Sequence, residues 1–143
     1  MKTDQESTSG QYSAQLLDHW VHPRNPGAMA DPDGHGRRVG ICGDIMEIFI
    51  RVHNNLIAEA SYMTDGCTTT IATGSAVVEL ATGKTIGAAQ AISGNEVRDL
   101  LGDLPAESHH CAELAADTLQ AAIGDYRHLC REPWKKWYRP HTP

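Results

Sequence analysis

Hydrophobic and polar residues follow two different periods along the chain. Over residues 46–52 and again over residues 56–62, apolar side chains recur at every second position. This spacing is typical of β-strands that bury one face. Asn54 and Asn55 suit a tight turn between the two segments, because asparagine tolerates positive φ, and residues 37–41 offer a third strand. We therefore expect an antiparallel meander with one face against a helical layer.

Helical spacing flanks the meander on both sides. Apolar residues three and four positions apart predict a short helix that Ser13 caps and that runs to Trp20, with Leu16, Leu17 and Trp20 on one face. The prolines and the glycine of residues 23–27 end it. The same spacing predicts four later helices, over residues 67–81, 85–91, 95–101 and about 110–130.

Composition and charge limit the classes of protein to consider. The chain has 143 residues, of which 41% are hydrophobic and 21% charged, as in ordinary globular domains. We expect a polar tail over residues 1–10, one domain over residues 11–130 and a basic, Trp-containing tail over residues 131–143. A net charge of −6 argues against a general nucleic-acid binder. Without a long apolar segment or a signal sequence, we expect a cytoplasmic protein that neither enters a membrane nor forms disulfides.

Three of the four cysteines share one local setting. Cys42 lies between two predicted strands, Cys67 lies where a strand gives way to a helix, and Cys111 lies at the start of the long helix. A helix N-terminus lowers the pKa of a thiol and favours the thiolate, the form that binds metal or attacks sulfur. If the meander packs on the helices, these three segments converge at one end of the domain.

Asp44 and His110 complete the candidate site, with one carboxylate and one imidazole beside three sulfurs. Thiolates suit zinc, Cu(I) and iron–sulfur clusters, whereas closed structural zinc sites prefer cysteine and histidine alone. The carboxylate therefore indicates a site that exchanges its contents.

Plainer roles stay open for these residues. A buried cysteine is commonly a small hydrophobic residue, and His109 competes with His110 as a ligand. Cys130 lacks the local setting of the other three, so we expect it to be structural or exposed.

Taken together, these segments resemble the U-type scaffolds of iron–sulfur cluster assembly, the IscU/NifU N-terminal family. The resemblance covers roughly residues 11–130, and each segment is weak alone but specific in combination. The segments that carry it are Tyr12 with Asp18-His19, Pro23-Arg24-Asn25-Pro26-Gly27, Cys42-Gly43-Asp44-Ile45-Met46, Thr64-Asp65-Gly66-Cys67, Gly83-Lys84-Thr85 and His110-Cys111.

The resemblance implies an α+β fold, in which a three-stranded antiparallel β-sheet packs against several α-helices. It implies a carrier rather than an enzyme, one that receives sulfur from a cysteine desulfurase and iron from an iron donor. The carrier holds a transient [2Fe–2S] cluster and passes it to apo-proteins. Whether two subunits form a homodimer that shares the cluster stays open. The implied ligands of cluster, iron or zinc are Cys42, Asp44, Cys67, His110 and Cys111. Zn²⁺ often fills such sites in isolated protein.

The chain departs from the family pattern in several segments, including residues 104–108 and 68–70. Many members carry Leu-Pro-Pro-Val-Lys before His-Cys, which a dedicated heat-shock chaperone recognises. Here the segment over residues 104–108 keeps only the Leu-Pro, so chaperone-driven transfer is not expected. Thr68, Thr69 and Thr70 follow Cys67 in place of the commoner Gly-Ser-Ala.

Three other functions compete with the scaffold. The first is a zinc-dependent sulfur acceptor of the SufU type, which uses the same ligands to activate a cysteine desulfurase. That group carries an insertion between the second and third ligand cysteines, and the 43-residue gap here lacks it. The second is a thiol enzyme with a Cys111–His110 pair, which is disfavoured because adjacent helical residues do not face each other. The third is a structural zinc domain, which Asp44 disfavours because closed zinc sites prefer cysteine and histidine.

Overall fold

A three-stranded antiparallel sheet carries helices on one face. The structure is a computed structural model that describes residues 12–137, so the predicted tail over residues 1–10 and the last part of the C-terminal tail lie outside it. Strands follow the order β1-β2-β3 in the sheet. The elements are α1 (Ala14–Val21), β1 (Gly34–Val39), β2 (Ile45–His53), β3 (Leu56–Thr64), α2 (Thr68–Ala81), α3 (Ile86–Gln90), α4 (Gly94–Leu100) and α5 (His109–Arg131), with 3₁₀ turns at Ala106–Ser108 and Pro133–Trp137.

The β2–β3 hairpin forms where the alternating pattern predicts it. Asn54 and Asn55 have φ values of 52° and 64°, the left-handed conformation that a tight hairpin turn requires. From β2, Met46, Ile48 and Ile50 are fully buried and join the core with residues of α2 and α5. The expected α+β fold is therefore confirmed.

Strand β3 departs from the expected alternation near its start. A β-bulge opposite Arg51 and Val52 shifts the register. Leu56 is 41% exposed in consequence, and Ile57 is buried in its place. An extra residue in one strand reverses the faces on either side of it, which the spacing of apolar residues alone does not reveal.

Strand β1 begins at Gly34, three residues before the predicted start. Its glycines allow the backbone of helix α5 to pack closely against the strand. A Cβ on Gly36 would lie 2.5 Å from both the Ala122 nitrogen and the Thr118 carbonyl oxygen. A Cβ on Gly34 would lie 2.5 Å from the Ala122 oxygen. The α5 backbone therefore rests directly on the β1 backbone, at a distance that no larger residue allows.

Helix α1 is held to α2 by a buried polar network. Ser13 caps α1 by accepting a hydrogen bond from the Leu16 nitrogen at 2.9 Å. His19, only 4% exposed, contacts the Ser75 hydroxyl through Nδ1 at 2.7 Å and lies 3.5 Å from Glu79 through Nε2. The predicted apolar face is only partly correct, because Trp20 is 44% exposed.

None of the helices within residues 12–137 is both long enough and apolar enough to cross a membrane.

Replacing Gly36 by alanine is expected to destabilise the domain by about 3 kcal/mol, because the new Cβ meets backbone atoms that cannot move aside. Gly124→Ala makes the same substitution in α5, where a Cβ would meet nothing within 4 Å. That control is expected to gain about 1 kcal/mol in helix propensity. Urea denaturation of both variants measures the difference, and a Gly36→Ala protein as stable as the parent would contradict the backbone contact.

The buried His19 makes stability depend on pH. Burial, assisted by the positive charge of Arg24, lowers the pKa of His19 below its ordinary value of 6.5, although Glu79 and Asp18 oppose the shift. Between the folded-state pKa and 6.5 the unfolded chain therefore binds more protons, and stability falls as the pH drops through this window. His19→Gln is expected to flatten the dependence of the urea midpoint between pH 7 and pH 5, whereas His53→Gln, at an exposed position, is expected to retain it. Identical profiles for the parent and His19→Gln would exclude His19 as the cause.

Candidate functional site

Three connections meet at one end of the sheet and bring the five candidate side chains together. Cys42 lies in the β1–β2 turn, Cys67 is the N-cap of α2, and His110 with Cys111 lies in the first turn of α5. Because α5 rests on β1, its first turn stands beside the β1–β2 turn. Hydrogen-bond contacts link all five residues, directly or through Thr70.

The β1–β2 turn exposes Cys42 at its tip. Gly43 donates a backbone hydrogen bond to the Gly40 oxygen at 2.9 Å, and Gly40 donates one to the Asp44 oxygen at 2.7 Å. Gly43 has a φ of +87°, in the left-handed region that favours glycine. Ile41 and Cys42 are consequently exposed, while Asp44 turns back toward the domain.

The β3–α2 connection is hydrogen-bonded to the start of β2, directly after the β1–β2 turn. Ile45 donates its backbone N–H to the Asp65 carboxylate at 2.8 Å, and its carbonyl oxygen accepts a hydrogen bond from the Thr64 hydroxyl at 2.6 Å. These bonds tie the end of β3 to the start of β2. The segments that carry Asp44 and Cys67 therefore keep a fixed separation.

His110 contacts two of the three sulfurs. Its Nε2 lies 3.4 Å from the Cys42 sulfur and 3.7 Å from the Cys111 sulfur. The expectation that adjacent His110 and Cys111 do not meet is therefore wrong, because their side chains come within hydrogen-bonding distance in the first turn of α5. One imidazole between two sulfurs is less typical of a nucleophile–base pair than of a shared set of ligands.

Thr70 joins the remaining groups, and no sequence motif singled it out as a functional residue. Its hydroxyl donates a hydrogen bond to Asp44 Oδ2 at 2.9 Å and lies 3.6 Å from the Cys111 sulfur and 3.8 Å from the Cys67 sulfur. The available signal was its position three residues after Cys67, on the same side of the helix. Gly66 leaves the space, since a Cβ there would lie 2.6 Å from the Thr70 hydroxyl oxygen.

One oxygen of Asp44 is left without a partner. Oδ1 is buried and has no hydrogen-bond partner among the described residues. Oδ1 lies close to Gly40, because a Cβ built on that glycine would be 2.9 Å from it. An unsatisfied buried oxygen costs roughly 1–3 kcal/mol, and a cation would satisfy it. The carboxylate therefore fits a metal-binding role.

The cysteines at the two helix starts differ in acidity. Burial opposes ionisation of Cys67, but hydrogen bonds from the backbone N–H groups of Thr70 and Thr69 outweigh it and lower the pKa of the thiol. Burial raises the pKa of Cys111 against an opposing hydrogen bond from Thr70, and the neighbouring Cys67, Asp44 and Cys42 raise it further. Cys67 is exposed whereas Cys111 is buried, so Cys67 is the readier thiolate.

The donor set fits a soft metal after a local rearrangement. Within residues 12–137, no three histidine, cysteine or acidic side chains stand in a geometry that holds a metal ion. The sulfurs and the carboxylate lie instead at hydrogen-bonding distances from Thr70 and His110. Zinc–sulfur bonds of about 2.3 Å would therefore require these groups to move closer to one another.

Two other sequence candidates lie apart from this cluster. His109 turns toward the preceding loop, where Nε2 lies 3.0 Å from the Leu104 carbonyl oxygen. Cys130 is exposed near the far end of α5, roughly 28 Å along the helix axis from Cys111. It borders a cavity of about 150 Å³ whose other lining residues are Asp33, Tyr126, Leu129 and Pro133.

Comparisons with known proteins agree on one family. Residues 11–132 match the model described as the NifU-like N terminal domain. The iron–sulfur cluster assembly scaffold protein IscU 1 of Archaeoglobus fulgidus is 46% identical over 117 residues, which cover 80% of this chain and 76% of that protein. The IscU scaffold protein of Escherichia coli is 39% identical over 122 residues, covering 81% and 94%.

Solved structures share the fold at lower identity. The N-terminal part of a nitrogen-fixing NifU-like protein from Brucella abortus superposes with a TM-score of 0.62 at 15% identity. The match covers 81% of this chain and 94% of that one. The similarity supports the α+β arrangement of sheet and helices.

Alkylation is expected to distinguish the two cysteines. Cys67 should react with iodoacetamide near pH 7 at least about tenfold faster than Cys111, because it combines a lowered pKa with exposure. Peptide mapping by mass spectrometry after short reagent pulses measures both rates in one sample. In 8 M urea the two rates are expected to converge. Equal rates in the folded protein would contradict the difference in acidity and burial.

Proposed function

The chain belongs to the family of NifU-like N-terminal domains, and on that premise we propose that it is a scaffold for iron–sulfur cluster assembly. It acts as a carrier rather than an enzyme: it gathers sulfur and iron, holds a transient [2Fe–2S] cluster as cargo, and passes it to apo-proteins.

One observation supports this proposal above the others. Three cysteines, one histidine and one aspartate come together from three separate connections. His110 contacts two of the cysteines, and Thr70 contacts Asp44 and two cysteines. Two of the sulfurs, those of Cys42 and Cys67, are exposed. A site that must receive and release its contents needs soft ligands together with an open side.

The five residues divide into two roles in this proposal. Cys42, Cys67 and Cys111 hold the cargo or accept sulfur, because thiolates bind iron and attack persulfide sulfur. Asp44 and His110 are exchangeable ligands. Asp44 contributes a hard oxygen to an otherwise soft set, so it binds iron less firmly than a thiolate and keeps the cargo labile.

The partners follow from this chemistry. A cysteine desulfurase delivers the sulfur, an iron donor delivers the iron, and apo iron–sulfur proteins receive the product. Val39 and Ile41 are 56% and 84% exposed beside Cys42, which gives the open side an apolar rim for a docking protein.

Anaerobic reconstitution tests the proposed function directly. The full chain is incubated with ferrous iron, cysteine and a cysteine desulfurase, and optical and Mössbauer spectra are recorded. We expect a [2Fe–2S] signature in the parent and in the Cys130→Ser variant, because Cys130 lies far from the site. Cys42→Ser is expected to yield little or no cluster. No cluster in the parent would contradict a scaffold role, and tight zinc with stimulated desulfurase turnover would indicate a sulfur acceptor.

Asp44→Ala is expected to retain a reconstituted cluster several times longer than the parent, because the labile oxygen ligand is gone. Transfer to an apo-ferredoxin, followed by optical spectroscopy, measures the lifetime. A variant that releases its cluster as fast as the parent would contradict the role of Asp44.

A further inference from the structure

The two oxygens of the Asp44 carboxylate have different surroundings. Oδ2 accepts a hydrogen bond from the Thr70 hydroxyl at 2.9 Å. Oδ1 is buried and has no hydrogen-bond partner among the described residues. An ionised carboxylate offers about four acceptor positions on its two oxygens, and the Thr70 bond uses one of them. Oδ1 is therefore the oxygen that this arrangement leaves open to a metal ion.

Within residues 12–137, Thr70 is the only group that donates a hydrogen bond to this carboxylate, and no ion pair reaches it. Gly40 and Leu114 lie on the side of Oδ1, since a Cβ built on Gly40 would be 2.9 Å from Oδ1 and 3.1 Å from the Leu114 Cδ2 atom. The Gly40 N–H already donates to the Asp44 carbonyl oxygen at 2.7 Å, and the Leu114 side chain has no polar atom. Without the Thr70 hydroxyl, the carboxylate would therefore have no hydrogen bond to fix its orientation.

Thr70 is well placed to hold the carboxylate beside the sulfurs. Its side chain is fully buried in the first turn of α2. The sulfurs of Cys111 and Cys67 lie 3.6 Å and 3.8 Å from the same hydroxyl oxygen that donates to Asp44. One buried hydroxyl thus fixes a carboxylate from the β1–β2 turn close to sulfurs from the two other connections.

Carboxylates that bind a metal ion are commonly hydrogen-bonded in turn, and loss of such a partner typically lowers metal affinity by about 10- to 100-fold. We propose that Thr70 is a positioning residue of this kind: it holds Asp44 through Oδ2 and thereby presents Oδ1 to the metal as a single-oxygen ligand. The metal then binds a carboxylate that is already oriented. This inference rests on the proposed function, because the metal is part of the cargo that the site carries.

Zinc affinity of the full chain tests the inference, with Zn²⁺ alone as the probe. Thr70→Val removes the hydroxyl and keeps the shape of the side chain, so we expect the dissociation constant for zinc to rise about tenfold. Competition with a chromophoric chelator measures the constant. Thr70→Ser retains a hydroxyl and is expected to restore the parent affinity.

A second comparison separates positioning from a general effect on the fold. In an Asp44→Ala background, Thr70→Val is expected to leave the zinc dissociation constant unchanged, because the carboxylate that the hydroxyl orients is absent.

Thr73→Val is the matched control. It removes an equally buried hydroxyl one turn further along α2, where the group donates to the Thr70 carbonyl oxygen at 2.9 Å. The zinc dissociation constant of this variant is expected to equal that of the parent, because the removed hydroxyl does not contact Asp44.

Three results would overturn the role of Thr70: an unchanged or lower zinc dissociation constant in Thr70→Val, a tenfold rise that persists in the Asp44→Ala background, or a Thr70→Ser protein that behaves like Thr70→Val. If Thr70→Val fails to fold by circular dichroism, the comparison of Thr70→Ser with Thr70→Ala decides in the same way.

The outcomes also separate this inference from the proposed function. A parent that binds zinc yet reconstitutes no cluster would refute the scaffold function while leaving the zinc comparison intact. A parent that binds no zinc would overturn the role of Thr70, whatever cluster it assembles.

Discussion

The contact of helix α5 with strand β1 is the constraint on which the site depends. Gly34 and Gly36 admit the helix backbone to a distance that any Cβ would forbid. That contact aligns the first turn of α5 with the β1–β2 turn, so His110 stands 3.4 Å from the Cys42 sulfur. Residues 68 positions apart in sequence are thereby brought into one site, although neither glycine contacts a candidate ligand.

The site itself is soft in chemistry but firmly fastened at its base. Asp65 and Thr64 tie the end of β3 to Ile45 at the start of β2. Above these bonds, the candidate ligands contact one another through the longer and weaker bonds of sulfur, imidazole and hydroxyl groups. A rigid base with easily exchanged contacts suits a carrier, because release of the cargo need not disturb the fold.

Local chemistry explains which features could be predicted from sequence. The hairpin at Asn54-Asn55 and the cap at Ser13 each depend on neighbouring residues alone, and both are present. The start of β1 was missed because glycine carries no strand propensity, and its value lies in the distant helix that packs on it. Thr70 was missed for the same reason: its neighbours Asp44 and Cys111 come from other segments, and a buried helical threonine has no distinguishing local pattern.

X-ray absorption at the zinc edge tests most directly whether the three connections form one site. For the zinc-loaded full chain, the account predicts three sulfur ligands at about 2.3 Å from the zinc and one nitrogen or oxygen ligand at about 2.0–2.1 Å. It predicts two sulfurs after Cys42→Ser and three after Cys130→Ser. Zinc held by nitrogen and oxygen alone, or a sulfur count that Cys42→Ser does not lower, would contradict it.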